Sequence, residues 1–323
     1  MPLQKITIAT RNSPLALWQS EWAKAQIQQH YPDLIIELLP VKTQGDILLE
    51  TSLRKIGGKG LFIKELEQAL LENIADIAVH SMKDVPAILP EPFSIAAMLP
   101  RGSVEDALVS HSTKSIQALP QNAILGTSSL RRQSQLLHQR PDLNIVPIRG
   151  NLQTRLKKLT DENLDGIILA CAGLERLNQA EHIAERLSTD VCLPAIGQGA
   201  VGIECLSERQ EIIDLLKPLG DLKTTLAVQA ERALNLQLGG NCQSPIAGFA
   251  QWTAATTLSL TGLVASHDGQ RRLLSHKELV LEPDQMPPHD HQPAHAIAQL
   301  GQDVAEDLLS QGAQSLLDAA NAL

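Results

Sequence analysis

Three groups of residues in this 323-residue chain have the types and spacing to do chemistry. The first is Lys83-Asp84, in the run Asp76-Ile77-Ala78-Val79-His80-Ser81-Met82-Lys83-Asp84-Val85-Pro86. An ammonium and a carboxylate side by side can hold an anion and move a proton within one pocket. The same pair can also be a rim ion pair, which is worth little. The second group is a set of arginines. Arg11 follows a strand pattern. Arg131 and Arg132 follow Gly126-Thr127-Ser128-Ser129, Arg149 precedes Gly150-Asn151 with Arg155 one turn on, and Arg176 closes a later helix pattern. Helix starts attract anions through free N–H groups and the dipole, whereas cations there oppose the dipole unless an anion lies among them. Arginine's planar fork suits carboxylates or phosphate, so the set points to a polyanionic ligand, with solvated surface arginines as the alternative. The third is Cys242 in Leu238-Gly239-Gly240-Asn241-Cys242-Gln243-Ser244-Pro245. Glycine before and proline after make this an exposed loop, and an exposed thiol is a candidate nucleophile or attachment point, or an incidental free thiol.

The elements that must position these groups read as alternating strands and helices. Residues 77–79 are apolar and partly β-branched, a short core strand that Pro86 cannot extend. Lys83 and Asp84 then fall at a strand's carboxyl end, where open α/β sheets bind ligands. Further strands are expected at 6–9, 34–41, 94–99, 107–110, 123–126, 144–148, 166–170 and 201–205, the last returning to the first sheet. Helices are expected after Ser13-Pro14, with Leu15, Trp18, Trp22 and Ala25 on one face, and at 61–72, 129–138, 151–159 and 173–177. The alternation implies parallel sheets. The tail differs. A helix at 222–236 presents Leu222, Leu226, Ala230 and Ala233. Strands at 257–264 and 272–281 flank the turn His267-Asp268-Gly269, and a last helix carries Ile297, Leu300, Val304 and Leu308 and ends near Gly312. The expectation is two α/β lobes and a small C-terminal α+β domain: 1–99 with 200–218, 100–199, and 219–323.

Composition narrows the function. Aromatic content of 2% argues against base-stacking platforms, and a net charge of −9 against a general polyanion binder. No segment approaches the roughly 20 apolar residues of a membrane span. The N-terminus shows no signal-peptide pattern, so a cytoplasmic protein with reduced thiols is expected. Lys55-Ile56-Gly57-Gly58-Lys59-Gly60 is not a phosphate loop, because Lys59 is followed by Gly60. It reads as a glycine-hinged lid from which Lys59 reaches an anion. His289, His291 and His295 lie in or near a proline-rich stretch that reads as solvated loop, so no metal site is expected.

Several of these segments closely resemble the porphobilinogen deaminase (hydroxymethylbilane synthase) family of tetrapyrrole biosynthesis, over nearly the whole chain. The shared motifs are Ala9-Thr10-Arg11-Asn12-Ser13-Pro14-Leu15-Ala16, Gly57-Gly58-Lys59-Gly60-Leu61-Phe62, Val79-His80-Ser81-Met82-Lys83-Asp84-Val85-Pro86 and Gly126-Thr127-Ser128-Ser129-Leu130-Arg131-Arg132. Arg149-Gly150-Asn151 and Leu193-Pro194-Ala195-Ile196-Gly197-Gln198-Gly199-Ala200 complete them. The resemblance implies two lobes like those of periplasmic binding proteins, an active-site cleft, and a third domain with a cysteine loop. It implies a transferase that joins four porphobilinogen units head to tail, each losing ammonia. A dipyrromethane cofactor, held to Cys242 by a thioether, primes the chain.

By the same resemblance, Asp84 is the catalytic carboxylate, binding pyrrole N–H groups and the cationic azafulvene left when ammonia departs; neighbouring cations favour its ionised form. Lys83, Asp84, Thr127, Ser129, Arg131, Arg132, Gly150 and Arg155 hold the cofactor. Arg11, Ser13, Arg149, Arg155, Arg176, Lys59 and Phe62 hold substrate. The partner is porphobilinogen, with neither nucleic acid nor membrane, and the family suggests a monomer. One departure stands out: the family's loop reads Leu-x-Gly-Gly-Cys, and here Asn241 precedes Cys242. Asparagine tolerates left-handed backbone, so attachment is expected to survive with an altered loop.

Overall fold

The structure is a computed structural model that describes residues 3–43, 63–241, 243–281 and 293–322. Lys59, Phe62, Cys242, His289, His291 and, apart from Thr43, the expected lid loop over 43–60 lie outside the described residues. Along the chain run β1 (Lys5–Arg11), α1 (Pro14–His30), β2 (Ile35–Val41), α2 (Lys64–Leu71), β3 (Ile77–Ser81) and β4 (Phe93–Met98). Then come β5 (Asp106–Val109), β6 (Ile124–Gly126), α3 (Leu130–Gln139), β7 (Asn144–Val146), α4 (Leu152–Asp161), β8 (Gly166–Ala170), α5 (Cys171–Arg176) and β9 (Ile183–Leu187). Last are β10 (Val201–Leu206), α6 (Gln210–Leu216), α7 (Leu222–Gln237), β11 (Ile246–Trp252), β12 (Thr257–Ala265), β13 (Arg272–Val280), α8 (Pro293–Ser310) and α9 (Ala313–Asn321). The chain forms two compact units, Met1–Gly102 with Gly199–Thr225, and Ser103–Gln198 with Leu226–Leu323.

The first unit is a five-stranded sheet in the order β2-β1-β3-β10-β4. Strand β1 runs parallel to β2 and β3, whereas β10 runs antiparallel to β3 and β4. The sheet is therefore mixed, not parallel as the alternation of elements implies. The reason is the direction of return: after β4 the chain leaves by Gly102 and comes back at Gly199, whose carbonyl accepts from Gly102 N at 3.1 Å. A strand that re-enters at the carboxyl end of its neighbours must run against them. One core packs Ile6, Ile8, Ile27, Ile77, Val79 and Ile203; another packs Leu66 and Leu70 of α2 beneath Ala9 and Ala78. The buried stripe of α1 is Ala16, Gln19, Ser20, Ala23 and Ile27, while Ala25 is exposed and Trp18 and Trp22 only flank the core. The apolar stripe expected from sequence is rotated because the start of α1 faces polar groups: Gln19 Nε2 donates to Ser81 Oγ at 2.8 Å.

The second unit repeats the plan. Its sheet runs β7-β6-β8-β5-β9, which is the first order with β6, β7, β8, β5 and β9 standing for β1, β2, β3, β10 and β4. Strand β6 is parallel to β7 and β8, and β5 is antiparallel to β8 and β9. Strand β9 carries Glu185 and Arg186 in a five-residue run, which hides it from a hydrophobic pattern.

The same unit contains an antiparallel sheet, β11-β12-β13, with α7, α8 and α9. Ile297, Leu300, Val304 and Leu308 of α8 are buried as their spacing requires. At the crossing of α8 with α7, a Cβ on Gly301 would lie 2.4 Å from the Ala230 carbonyl oxygen, so only glycine permits that approach. Gly312 (φ 97°) ends α8, and α9 follows it directly. Among the described residues no helix is long and apolar enough to cross a membrane.

Candidate active site

In the first unit the reactive groups gather at the carboxyl ends of β1 and β3. Strand β1 ends at Arg11. Ser13 caps α1, its Oγ accepting from Ala16 N at 3.4 Å, and Pro14 holds the first helical position. Strand β3 ends at Ser81 and runs into a 3-10 turn, Met82–Asp84, whose Met82 N donates to the Ala200 carbonyl at 3.0 Å. A recess here is lined by Arg11, Ser13, Gln19, His80, Ser81 and Asp84, among others. Lys83 and Asp84 are both half-buried, so Asp84 belongs to a concave polar site rather than an open rim. This arrangement supplies a cation for an anionic substituent and a carboxylate for a donor or a developing positive charge.

Beneath the recess lies a cluster that sequence reasoning left unassigned. His80 Nε2 is 2.7 Å from Glu204 Oε2, with side-chain exposures of 4% and 1%. Glu67 of α2 is also buried. Burial, reinforced by the charge of Glu204, pushes the Glu67 carboxyl above its ordinary value, while His80 and Lys64 pull the other way.

In the second unit the arginines issue from the carboxyl ends of β6, β7 and β8. Ser129 caps α3, its Oγ accepting from Arg132 N at 3.5 Å, and Ser129 N donates to Thr127 Oγ1 at 3.2 Å. Asn151 caps α4 by accepting from Thr154 N at 2.9 Å. Gly150 takes φ 114°, and its carbonyl accepts from Arg155 Nε at 2.8 Å. A Cβ on Gly150 would lie 2.6 Å from the Thr154 methyl group, so the arginine-bearing turn needs glycine twice over. Arg149, Arg155 and Arg176 are half-buried. Burial is the larger influence on the Arg176 guanidinium and lowers its proton affinity; Glu175 partly offsets this.

Arg131 and Arg132 differ from the other arginines in being buried against a partner that sequence reasoning missed. Asp106 is fully buried. Its Oδ1 accepts from Arg132 Nε at 3.1 Å and Nη2 at 2.6 Å, and its Oδ2 is 2.7 Å from Arg131 Nη2. Arg131 Nη1 also donates to the Leu193 carbonyl at 2.7 Å, and Arg132 Nη1 to that of Ile168 at 2.8 Å. Gln198 Nε2 donates to Asp106 Oδ1 at 3.1 Å. Burial alone would raise the Asp106 carboxyl, but the two guanidiniums together hold it well below the usual carboxylate range. The chain thus supplies part of the anion that this helix start calls for. Two cations against one carboxylate still leave one positive charge where the dipole is also positive.

The cysteine loop is described on both sides of Cys242. Gly239 carries its left-handed position (φ 64°), and a Cβ on Gly240 would lie 2.1 Å from Asn235 Oδ1. Asn241 is not needed for left-handed backbone, the role expected of it. Its Oδ1 accepts from Gln243 N at 2.8 Å, while its N–H donates to Ser244 Oγ at 3.1 Å, so its polar groups are bonded locally. Cys171, Cys192 and Cys205 are buried, and burial pushes the first two thiols up to about 12. Among the described residues no group of histidine, cysteine and carboxylate side chains is placed to hold a metal, and His295 is exposed at the start of α8.

Asp106 and Glu204 each had a legible signal: an acid inside an apolar strand, Asp106-Ala107-Leu108-Val109 and Val201-Gly202-Ile203-Glu204-Cys205-Leu206. A buried carboxylate demands a partner. His80 and Gln198 stood inside recognised motifs without a role.

Two sheets of like topology, one with Asp84 in its recess and the other with arginines at its strand ends, define a mixed α/β protein. Known proteins sharpen the class. The family model described as "Porphobilinogen deaminase, dipyromethane cofactor binding domain" matches residues 6–214, and "Porphobilinogen deaminase, C-terminal domain" matches 225–310. A protein of Syntrophotalea carbinolica named porphobilinogen deaminase is 48% identical over 99% of this chain and 97% of its own. One of the same name from Dichelobacter nodosus is 48% identical over 98% of each. The chain belongs to the porphobilinogen deaminase family. Among solved structures, the methionine-binding protein MetQ aligns with 67% of this chain and 88% of its own at 13% identity and a TM-score of 0.43, a likeness that adds nothing to the strand orders above.

Proposed function

We propose that the chain is a transferase that condenses four porphobilinogen molecules head to tail, expelling ammonia at each step, to give linear hydroxymethylbilane. The observation that carries this reading is the 48% identity to porphobilinogen deaminases over essentially the full chain, with the cofactor-binding family model spanning both α/β sheets. The residues suit the group that the family binds. A dipyrromethane made from substrate bears an acetate and a propionate on each ring. Arg131, Arg132, Arg149, Arg155 and Arg176 stand at three successive strand ends, and the planar guanidinium fork suits such carboxylates.

In this reading Thr127, Ser129, Arg131, Arg132, Gly150, Arg155 and Lys83 hold the cofactor, and Cys242 carries it through a thioether. Once bound, the group supplies a pyrrole α-carbon that begins the chain. Arg11, Ser13, Arg149 and Arg176, with Lys59 and Phe62, hold substrate carboxylates and orient the ring. Asp84 accepts from pyrrole N–H groups, stabilises positive charge as ammonia departs, and takes the proton released from carbon. We further propose three domains, 1–99 with 200–218, 100–199 and 219–323, in a cytoplasmic monomer that binds neither nucleic acid nor membrane.

Intact-mass measurement after denaturation, joined to an assay of ammonia release from porphobilinogen, tests the reading. The expected result is a two-pyrrole adduct that is lost in Cys242→Ser, with turnover in the parent. An adduct persisting in Cys242→Ser would refute the attachment; porphobilinogen binding without ammonia release would refute the reaction in favour of a binding module.

A further inference from the structure

His80 occupies an unusual position: it lines the recess that holds Asp84, yet its side chain is 4% exposed and its Nε2 lies 2.7 Å from a buried carboxylate. We propose that His80 is a positioning residue for Asp84, and that Glu204 and Glu67 form with it a buried proton-holding cluster beneath the recess; the inference rests on the reaction proposed above.

Three observations converge on this assignment. The first is register. On β10, Gly202 lies opposite His80 and Glu204 opposite Ala78, so Glu204 reaches His80 along the diagonal of an antiparallel pair. A Cβ at Gly202 would lie 2.2 Å from Met82 Sδ. Glycine there lets Met82, the first residue of the turn that carries Asp84, seat against β10. The strand that pins the imidazole therefore also seats the turn bearing the catalytic carboxylate.

The second is an excess of acid that packing does not explain. Glu67 Oε1 and Glu204 Oε1 are buried without a hydrogen-bond partner among the described residues. Leaving a buried carboxyl oxygen unpaired is destabilising, and an apolar side chain would avoid that cost. Glu204 against the imidazole, with Glu67 within electrostatic reach of both, forms a cluster able to take up a proton or pass one on. Burial and the Glu204 charge both favour the protonated form of Glu67, which supports the same reading.

The third is the charge that surrounds the cluster. The charged groups around it are Glu204 from β10, Glu67 and Lys64 from α2, Arg11 at the end of β1, and Lys83 and Asp84 in the turn after β3. From α1 the recess receives Leu15, Ala16 and Gln19, none of which titrates. Each condensation takes one proton from carbon, so Asp84 must gain and lose a proton every cycle. A nearby imidazole held by carboxylates fixes the field in which it does so.

The test uses the full-length holoenzyme, with cofactor loading verified by mass. In Glu204→Gln, kcat is expected to fall by about tenfold or more, the usual cost of removing an outer hydrogen-bond partner of a working group. KM is expected to change little, and the pH profile of kcat to move. Glu67→Gln, which leaves the His80–Glu204 contact in place, is expected to move the same profile without lowering the thermal transition. Independently of turnover, the ring signals of His80 in a carbon–proton NMR titration are expected to shift their midpoint in Asp84→Asn. Profiles that superpose on the parent in both glutamate variants, or a His80 titration indifferent to Asp84→Asn, would overturn the proposal. A parent that released no ammonia would instead sink the reaction, and the NMR arm would still decide whether His80 and Asp84 are coupled.

Discussion

The two α/β sheets share one topology and use it to opposite electrostatic ends. Each inserts one antiparallel strand, β10 in the first and β5 in the second, and each of those strands carries a buried acid. In the first sheet Glu204 meets an imidazole and lies near a second carboxyl, Glu67, whose proton affinity is raised. In the second, Asp106 meets two guanidiniums and its proton affinity is lowered. The first sheet thus favours a proton on Glu67, and the second keeps Asp106 charged. Fold alone does not decide which: the difference lies in whether the partners are His80 and Glu67 or Arg131 and Arg132.

The largest effect is expected where the first sheet meets the chemistry. Replacing Asp84 with asparagine keeps its size and hydrogen-bonding reach but removes the charge and the proton acceptor. Turnover should fall by about 10²–10⁴-fold, the span of a lost acid–base group, with fold and cofactor retained. Circular dichroism and intact mass alongside ammonia release would check this. Near-parent activity would return Lys83 and Asp84 to a mere ion pair and leave the two sheets without a functional division.

Asp106→Asn strikes the second sheet and should act through stability first. It leaves two buried guanidiniums facing a neutral amide, and breaking a buried pair in this way costs about 3–5 kcal/mol. The sign with pH follows from linkage. The folded-state value of Asp106 lies below its ordinary 3.8, so its contribution is fully present above that value and is lost as pH falls through the folded value. Chemical denaturation should therefore show a gap between parent and variant that is full at neutral pH and narrows in strong acid. A gap independent of pH would mean that Asp106 acts by packing and not by charge.

How much of this division was legible beforehand depends on the range of the interaction. Local signals carried far: Ser13, Ser129 and Asn151 each cap the helix that their sequence position announces. The lobes, the return of β10 and the positions of the arginines at strand ends follow from the order of elements and the family resemblance. The partners of Glu204 and Asp106 were not legible, because His80 and Glu204 are 124 residues apart and meet only once β10 is inserted beside β3. Strand β11 escaped notice for a related reason. Gly248 breaks its pattern, and the glycine is needed because a Cβ there would lie 2.5 Å from Ile196 Cδ1, a contact made only in the folded chain.

The smallest expected effect is also the one that most directly separates the two designs. Glu67→Gln replaces a carboxyl whose folded-state value lies above its ordinary 4.5. Below 4.5 the folded and unfolded parent both hold this proton, and the side chain contributes little pH dependence. As pH rises from 4.5 the unfolded chain releases the proton while the folded chain keeps it, so the parent is progressively destabilised until the folded value is passed, after which the penalty is constant. Glutamine never ionises and carries no such penalty. The thermal transition of Glu67→Gln should therefore gain on that of the parent as pH rises from acid to neutral, whereas Asp106→Asn falls further behind its parent over the acid range. Opposite slopes from two buried carboxyls would establish that one sheet stores a proton and the other a charge. Parallel slopes would show that Glu67 is ionised in the folded chain, and that the first sheet, like the second, is held by ion pairs.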